Sequence, residues 1–230
     1  MTCADITRAA RTLFVSPHLD DAVFGCGARI ASCSEAVVVT IFAGRPVPDS
    51  ALTPWDAECG FRAGDDVVGI RRDEDRQACK VLHARPIWLD YRDDQYGHSP
   101  ELGALTASLD ALVATQNPES VYIPLGLFHS DHRRASDAGL ALIGSGPRDG
   151  WYAYEDAIYR RIPGEVESRI ATLRRRGYAL VRLDFPTDAA AQARKAQAVA
   201  RYRSQLTALS KRPALSDTQA PETYWRIAHA

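Results

Sequence analysis

Thr12-Leu13-Phe14-Val15-Ser16-Pro17-His18-Leu19-Asp20-Asp21 is the stretch whose reading decides the fold. Thr12 to Ser16 is a short apolar run, a strand candidate, and Asp21 to Cys33 follows with helical character. A polar cluster therefore sits between a strand and a helix. The same order recurs downstream. Ala36 to Phe42 is rich in β-branched residues and reads as a buried strand. Asp66 to Leu82 reads as helix, Pro86 to Tyr91 as strand and Glu101 to Thr115 as helix. Val121 to Pro124 is another strand and Asp131 to Ile143 another helix. Such alternation predicts an α/β fold with a mostly parallel central sheet covered on both faces. In open sheets of this kind the site lies beyond the carboxyl ends of the strands, so the loops after the first four strands are where chemistry belongs. Gly44 to Gly64, rich in Gly and Pro, reads as a long loop of the sort that carries function or disorder. The tail is mixed, with strands at Trp151 to Tyr154 and Ala179 to Leu183 and a long helix from Ala189 to Leu209. Without repeats or low-complexity segments, 1–230 reads as a single domain.

Composition narrows the class. The formal net charge of -1 offers no general attraction for nucleic acid or an anionic membrane, so neither is expected as a partner. The cysteines number five, an odd count, at Cys3, Cys26, Cys33, Cys59 and Cys79, with no CxxC spacing; they read as free thiols in a reducing compartment. Met1 to Arg11 carries Asp5 and no apolar core, unlike a secretory signal. No apolar run approaches the ~18 residues that span a bilayer. A cytoplasmic protein is expected, its oligomeric state open, homo-oligomer included.

Two clusters carry the chemistry. The first strand ends in His18-Leu19-Asp20-Asp21, and the fourth ends in a loop holding His129-Ser130-Asp131-His132. A parallel sheet brings both to one edge although they are far apart in sequence. A catalytic zinc needs about three protein ligands and an open position for water. His18, Asp21 and His132 supply two imidazoles and a carboxylate. Asp20 is then the base that takes the water's proton. His129, if protonated, can donate to the oxyanion, and Asp131 can orient that imidazole and favour its charge. The plainer alternative is that Asp20, Asp21 and Asp131 merely cap the helices that follow them.

Pro17-His18-Leu19-Asp20-Asp21 resembles the PHxDD signature of the PIG-L/LmbE-like de-N-acetylases, and His129-Ser130-Asp131-His132 resembles their HxDH signature. The resemblance implies a Rossmann-like three-layer sandwich and a zinc site. It implies His18, Asp21 and His132 as ligands, Asp20 as base and His129 as the oxyanion-stabilising histidine. Weaker similarities run along the chain. Arg71 and Glu74 look like an Arg-x-x-Glu stretch, with Arg71 on substrate hydroxyls. Asp93 resembles a sugar-binding aspartate. Tyr154-Glu155-Asp156, Lys195 and Tyr202 to Gln205 resemble late features of many members. There are departures: Ala22 stands where the family often has Glu, and Leu127 where some members carry a tyrosine that aids catalysis. The expected activity is removal of an acetyl group from an N-acetylated amino sugar or glycoconjugate. The alternatives are a zinc amidase on a larger acyl or thiol conjugate, and a non-catalytic carbohydrate-binding module.

Other signals carry less. Gly25-Cys26-Gly27 lies inside the predicted first helix instead of at its start, so it makes no pyrophosphate cradle and reads as close helix-to-sheet packing. Arg133 and Arg134 read as exposed helix residues, and Arg174 to Arg176 as complements to a helix C-terminus. His83, His98 and His229 have no partner pattern. Trp55, Phe61 and Arg62 either line a pocket or pack the long loop down.

Overall fold

The computed structural model describes residues 11–48, 50–97, 99–144, 150–183, 185 and 188–230. The N-terminal stretch up to residue 10, with Cys3, and His98 lie outside the described residues. The predicted alternation holds from β1 (Arg11–Ser16) through α1 (Asp21–Ala31), β2 (Glu35–Thr40), α2 (Pro54–Glu58), α3 (Val67–Val81) and β3 (Ala84–Trp88). It continues through α4 (Leu102–Gln116), β4 (Ser120–Pro124), α5 (Ser130–Leu140), β5 (Trp151–Tyr154) and α6 (Glu165–Arg175). The chain closes with β6 (Tyr178–Leu183), α7 (Ala189–Val199), α8 (Arg203–Leu209) and β7 (Tyr224–His229).

The seven strands form one mixed sheet in the order β3-β2-β1-β4-β5-β7-β6. The first five are parallel, and β7 runs antiparallel to both β5 and β6. This is a Rossmann-like α/β architecture. Alternate residues of each central strand feed opposite layers, as the two-residue period of a strand requires. Leu13, Val15, Val37, Val39 and Ile123 pack with apolar residues of α4, α5 and α6. Phe14, Val38 and Tyr122 face the other way, onto α1, α3 and α7. Gly25 of α1 lets the helix lie on the sheet, since a Cβ there would come within 2.6 Å of Tyr154 on β5.

Two sequence expectations change, and one strand pairing adds to them. The loop from Gly44 to Gly64 contains α2, started by Thr53, whose side chain accepts from the Asp56 N–H at 3.0 Å. The long helix expected from Ala189 to Leu209 is two helices with a break at 200–202. No Gly or Pro marks the break. It is held from outside, by Tyr202 donating to Asp75 Oδ1 at 2.7 Å and by Ser204 donating to Glu74 through N–H (2.9 Å) and hydroxyl (2.6 Å). Finally, β7 inserts between β5 and β6, a pairing that local pattern does not announce.

The chain runs from β1 outward to β3 and then returns to β4 on the other side of β1. Crossovers leave β1 and β4 in opposite directions, so a crevice opens between their carboxyl ends. Both polar clusters stand there.

Candidate active site

The loop after β1 is shaped by its own hydrogen bonds. Ser16 Oγ donates to the His18 carbonyl at 2.6 Å and accepts from the Ala22 N–H at 2.9 Å. From the far end of the chain, Gln205 Nε2 donates to the Leu19 carbonyl at 2.9 Å. Asp20 occupies the N-cap position of α1 but makes no side-chain cap, and its carboxylate borders a cavity instead. Asp21 is the first residue of α1 and is buried; its Oδ2 accepts from the His18 N–H at 2.8 Å. The same oxygen lies 3.1 Å from His18 Nδ1 and 3.1 Å from His132 Nε2.

The loop after β4 is capped by a histidine. His129 Nδ1 accepts from the Asp131 N–H at 3.2 Å, satisfying one of the free amides at the start of α5. The Asp131 carboxylate turns toward β1. Its Oδ2 is 3.1 Å from His18 Nε2 and accepts from the Asp94 N–H at 2.9 Å. Asp131 therefore steadies His18, and it meets His129 through its backbone amide. The side chain paired with His129 in the sequence reading is committed elsewhere because a first-turn residue of α5 faces inward, with no exposure. His132 is held by a residue that sequence reasoning left unassigned: its Nδ1 lies 2.5 Å from Asp156 Oδ1. Asp156 Oδ2 accepts from the N–H groups of Gly126 (2.9 Å) and Leu127 (3.1 Å), which ties the end of β5 to the β4 loop.

Among the described residues two overlapping donor groups of metal-ligating type result: His18, Asp21 and His132, and His18, His129 and Asp131, the ligand atoms of each within 4.8 Å of one another. They differ in access. All three members of the first group border the cavity, whereas Asp131 does not. A catalytic ion needs a position open to water and substrate, which only the first group offers. Adjacent donors of a tetrahedral zinc stand roughly 3.4 Å apart for bonds of ~2.0–2.2 Å, close to the 3.1 Å separations around Asp21 Oδ2. Asp156 behind His132 and Asp131 behind His18 supply the outer carboxylates that commonly orient metal-binding imidazoles.

The charges call for a cation. Burial opposes protonation of His18, yet the carboxylates of Asp93, Asp131 and Asp21 outweigh it and push its pKa well above the ordinary value. Burial likewise opposes protonation of His132, and Asp21 and Asp156 nevertheless raise it to about 9. Asp21 is buried too, but the two imidazoles hold its carboxyl well below the ordinary range. Asp20 goes the other way, to about 8, because burial and the neighbouring Asp21 charge both disfavour its ionised form. His129 is lowered by burial and by the positive charge of His18 and His132. Five carboxylates thus surround two imidazoles, an arrangement of donor atoms that suits a divalent ion.

The remaining sequence candidates line the same cavity, of about 490 Å³. Arg71 is buried in its wall, held by Asp56 Oδ1 at 2.9 Å and by Cys59 Sγ at 3.2 Å. Its Nε is buried without a hydrogen-bond partner. Asp93 caps the short 3-10 turn Asp94–Tyr96, accepts from Gln95 through N–H (3.0 Å) and Nε2 (2.7 Å), and comes within 3.8 Å of His18 Nε2. The long second loop closes onto this turn. Thr53 Oγ1 donates to Gln95 Oε1 at 2.6 Å, and Tyr96 donates to Asp56 Oδ2 at 3.0 Å. Trp55 reaches the cavity, and Phe61 packs under the Arg71 guanidinium at 5.4 Å. Tyr159, in the turn after β5, sets its ring edge against His132 with centroids 5.0 Å apart. Burial and the charges of Asp21 and Asp20 raise the pKa of its phenol. Asp156 and Tyr159 follow the carboxyl end of β5, so the strand-end rule already applied to the first four strands would have found them.

An open, mostly parallel sheet with an accessible His/Asp donor group at its switch point is an α/β architecture with a candidate metal site. The family model described as GlcNAc-PI de-N-acetylase matches residues 13–143, and the chain belongs to that family, PIG-L. Membership makes it a de-N-acetylase hydrolase. Among solved structures, it is similar to the zinc-inhibited form of teicoplanin deacetylase, at 23% identity over 96% of this chain and 98% of that one, with a TM-score of 0.79. It is similar to the A40926 pseudoaglycone deacetylase, at 25% identity, 96% and 98% coverage and a TM-score of 0.76. It is also similar to the N,N'-diacetylchitobiose deacetylase of Pyrococcus horikoshii, at 18% identity, 96% and 84% coverage and a TM-score of 0.57. No curated protein sequence matches the chain. Among the described residues no helix is long and apolar enough to cross a membrane.

Proposed function

We propose that the protein removes the acetyl group from an N-acetylated amino sugar, free or within a glycoconjugate, with zinc held by His18, Asp21 and His132. The observation that carries this reading is the Asp21 carboxylate, shared between two imidazoles, one in the loop after β1 and one in α5, at the wall of an open cavity. A zinc ion bound there supplies Lewis acidity and lowers the pKa of water to ~7. Asp20, beside the donors and free of any capping bond, takes the proton of the attacking water and returns it to the leaving nitrogen. His129 lines the cavity and donates to the developing oxyanion, with the charge of Asp131 nearby. Asp131 also fixes the ring of His18, and Asp156 that of His132. Arg71 and Asp93, both lining the cavity, bind substrate hydroxyls. One domain, 1–230, carries the activity, and the free thiols of Cys26, Cys33, Cys59 and Cys79 agree with a reducing cytoplasm.

A second reading has a specific observation behind it. Phe42, Trp55, Phe128, Ile162 and Leu209 give the cavity an apolar side, which suits a larger acyl group or an apolar substituent on the sugar. Mass spectrometry of the released acid separates the two, showing acetate or a larger acid.

Metal content per chain, measured on wild type beside His18→Ala, Asp21→Ala and His132→Ala, tests the site. One zinc in wild type, lost in all three variants, together with acetate release from an N-acetyl sugar, is the expected result. A wild type that takes up no metal even from added zinc overturns it.

A further inference from the structure

Seven of the nine tyrosine hydroxyls have a hydrogen-bond partner. The other two, Tyr152 and Tyr159, make no hydrogen bond to any described residue. A phenol hydroxyl both donates and accepts, so one without a protein partner is available to a ligand wherever a cavity reaches it. Tyr159 is distinguished from Tyr152 by its place: it lines the cavity with His18, Asp20, Asp21, His129 and His132. Its ring meets that of His132 edge-on, at 5.0 Å and 83°, and lies nearly parallel to that of His129, 6.3 Å away at 25°. Phe128 supports it at 5.4 Å.

The anchoring of Tyr159 is coupled to the donor group. The Asp156 carbonyl accepts from the Tyr159 N–H at 3.0 Å while the Asp156 carboxylate holds His132 Nδ1. One residue thus positions both the imidazole and the turn that carries the phenol. Because β1, β4 and β5 are adjacent and parallel, Tyr159 reaches the cavity of the donors from a third loop.

We infer that Tyr159 is a catalytic residue whose hydroxyl donates a hydrogen bond to the carbonyl oxygen of the scissile amide. The inference rests on the hydrolase reading above. As the oxygen of water bonds to the amide carbon, the C=O π pair moves onto the carbonyl oxygen, and the hydrogen bond from the Tyr159 hydroxyl shortens onto the new charge. That pair re-forms C=O when the C–N bond breaks. The bond's electrons leave with nitrogen, which takes the proton carried by Asp20; the other water proton departs with acetic acid. A neutral phenol suits this task because it donates without needing to gain a charge.

Tyr159→Phe removes only the hydroxyl and keeps the ring packing, so folding and metal content should match wild type. On an N-acetyl sugar that wild type hydrolyses, kcat should fall on the order of 100-fold, with KM within a few-fold. Acetohydroxamate, titrated calorimetrically into the zinc-loaded proteins, should bind roughly tenfold more weakly to the variant, about 1.4 kcal/mol. Tyr152→Phe, which removes the other unpaired phenol, should leave both readouts unchanged. Tyr159→Phe with kcat and hydroxamate affinity within twofold of wild type overturns the inference. If Asp20→Asn is inactive in the same assay, that result leaves the hydrolase reading standing. A zinc-loaded wild type that hydrolyses no amide overturns both.

Discussion

The two halves of the molecule serve the site differently. Residues 11–143 supply the candidate donors His18, Asp21 and His132 and the candidate base Asp20. Residues 150–230 supply groups that hold them: Asp156 behind His132, Gln205 on the Leu19 carbonyl, and Ser204 and Tyr202 against α3. The first half places reactive groups by local geometry, at the carboxyl ends of adjacent strands. The second half reaches the same groups across long sequence separations and restricts their orientation. A site of this kind needs both, since donors on loops keep their directions only when outer partners lock them.

The contrast can be broken most severely within the first half. Asp21→Ala removes the oxygen shared by both imidazoles and should abolish metal uptake, with turnover falling by ~10³-fold or more. Asp20→Asn should keep the metal and lose turnover by roughly 10²–10⁴-fold, because only proton transfer is removed. Elemental analysis and steady-state rates on the two proteins decide it; equal metal loss in both would mean that neighbouring aspartates are not divided between donor and base.

The second half should act more mildly. Asp156→Asn leaves all three donors in place but weakens the orientation of His132, so metal affinity should drop by about 10–100-fold in a chelator competition. An unchanged affinity would show that backbone geometry alone positions that ring. The smallest effect on the metal belongs to a residue outside the cavity wall. Tyr202→Phe removes a buried donor to the Asp75 carboxylate, and urea unfolding should report a loss of about 1–3 kcal/mol. Metal content should remain at wild-type level; a metal-depleted but equally stable variant would move Tyr202 from the scaffold into the site.

Much was legible from sequence, and for a physical reason. Strand and helix periodicities are short-range, so TLFVS before His18 and SVYIP before His129 place their polar clusters at strand ends without any knowledge of partners. Parallel alternation then brings those ends together. The helix-cap alternative for Asp20, Asp21 and Asp131 was local as well, and the structure resolves it: Asp20 stands at the cap position without a cap bond, Asp21 and Asp131 lie inside their helices, and α5 is capped by His129.

What only the tertiary structure decided is which group faces which. Asp131 lies two residues from His129 in sequence but gives its carboxylate to His18, 113 positions away. Arg71 is set in the cavity wall by Asp56, from a loop whose short helix depends on the Thr53 cap. The break in the helical run after Ala189 has no breaker residue and is held by Glu74 and Asp75. Tyr159 carries no pattern of its own, and its place beside His132 follows from β5 joining the sheet next to β4. The sequence by itself determined the chemical identities of the donors and the strands that end in them, because both are written in contiguous residues. Their partners, orientation and access to the cavity were decided by packing between distant segments, where burial makes each unpaired polar group costly and so selects one arrangement among many.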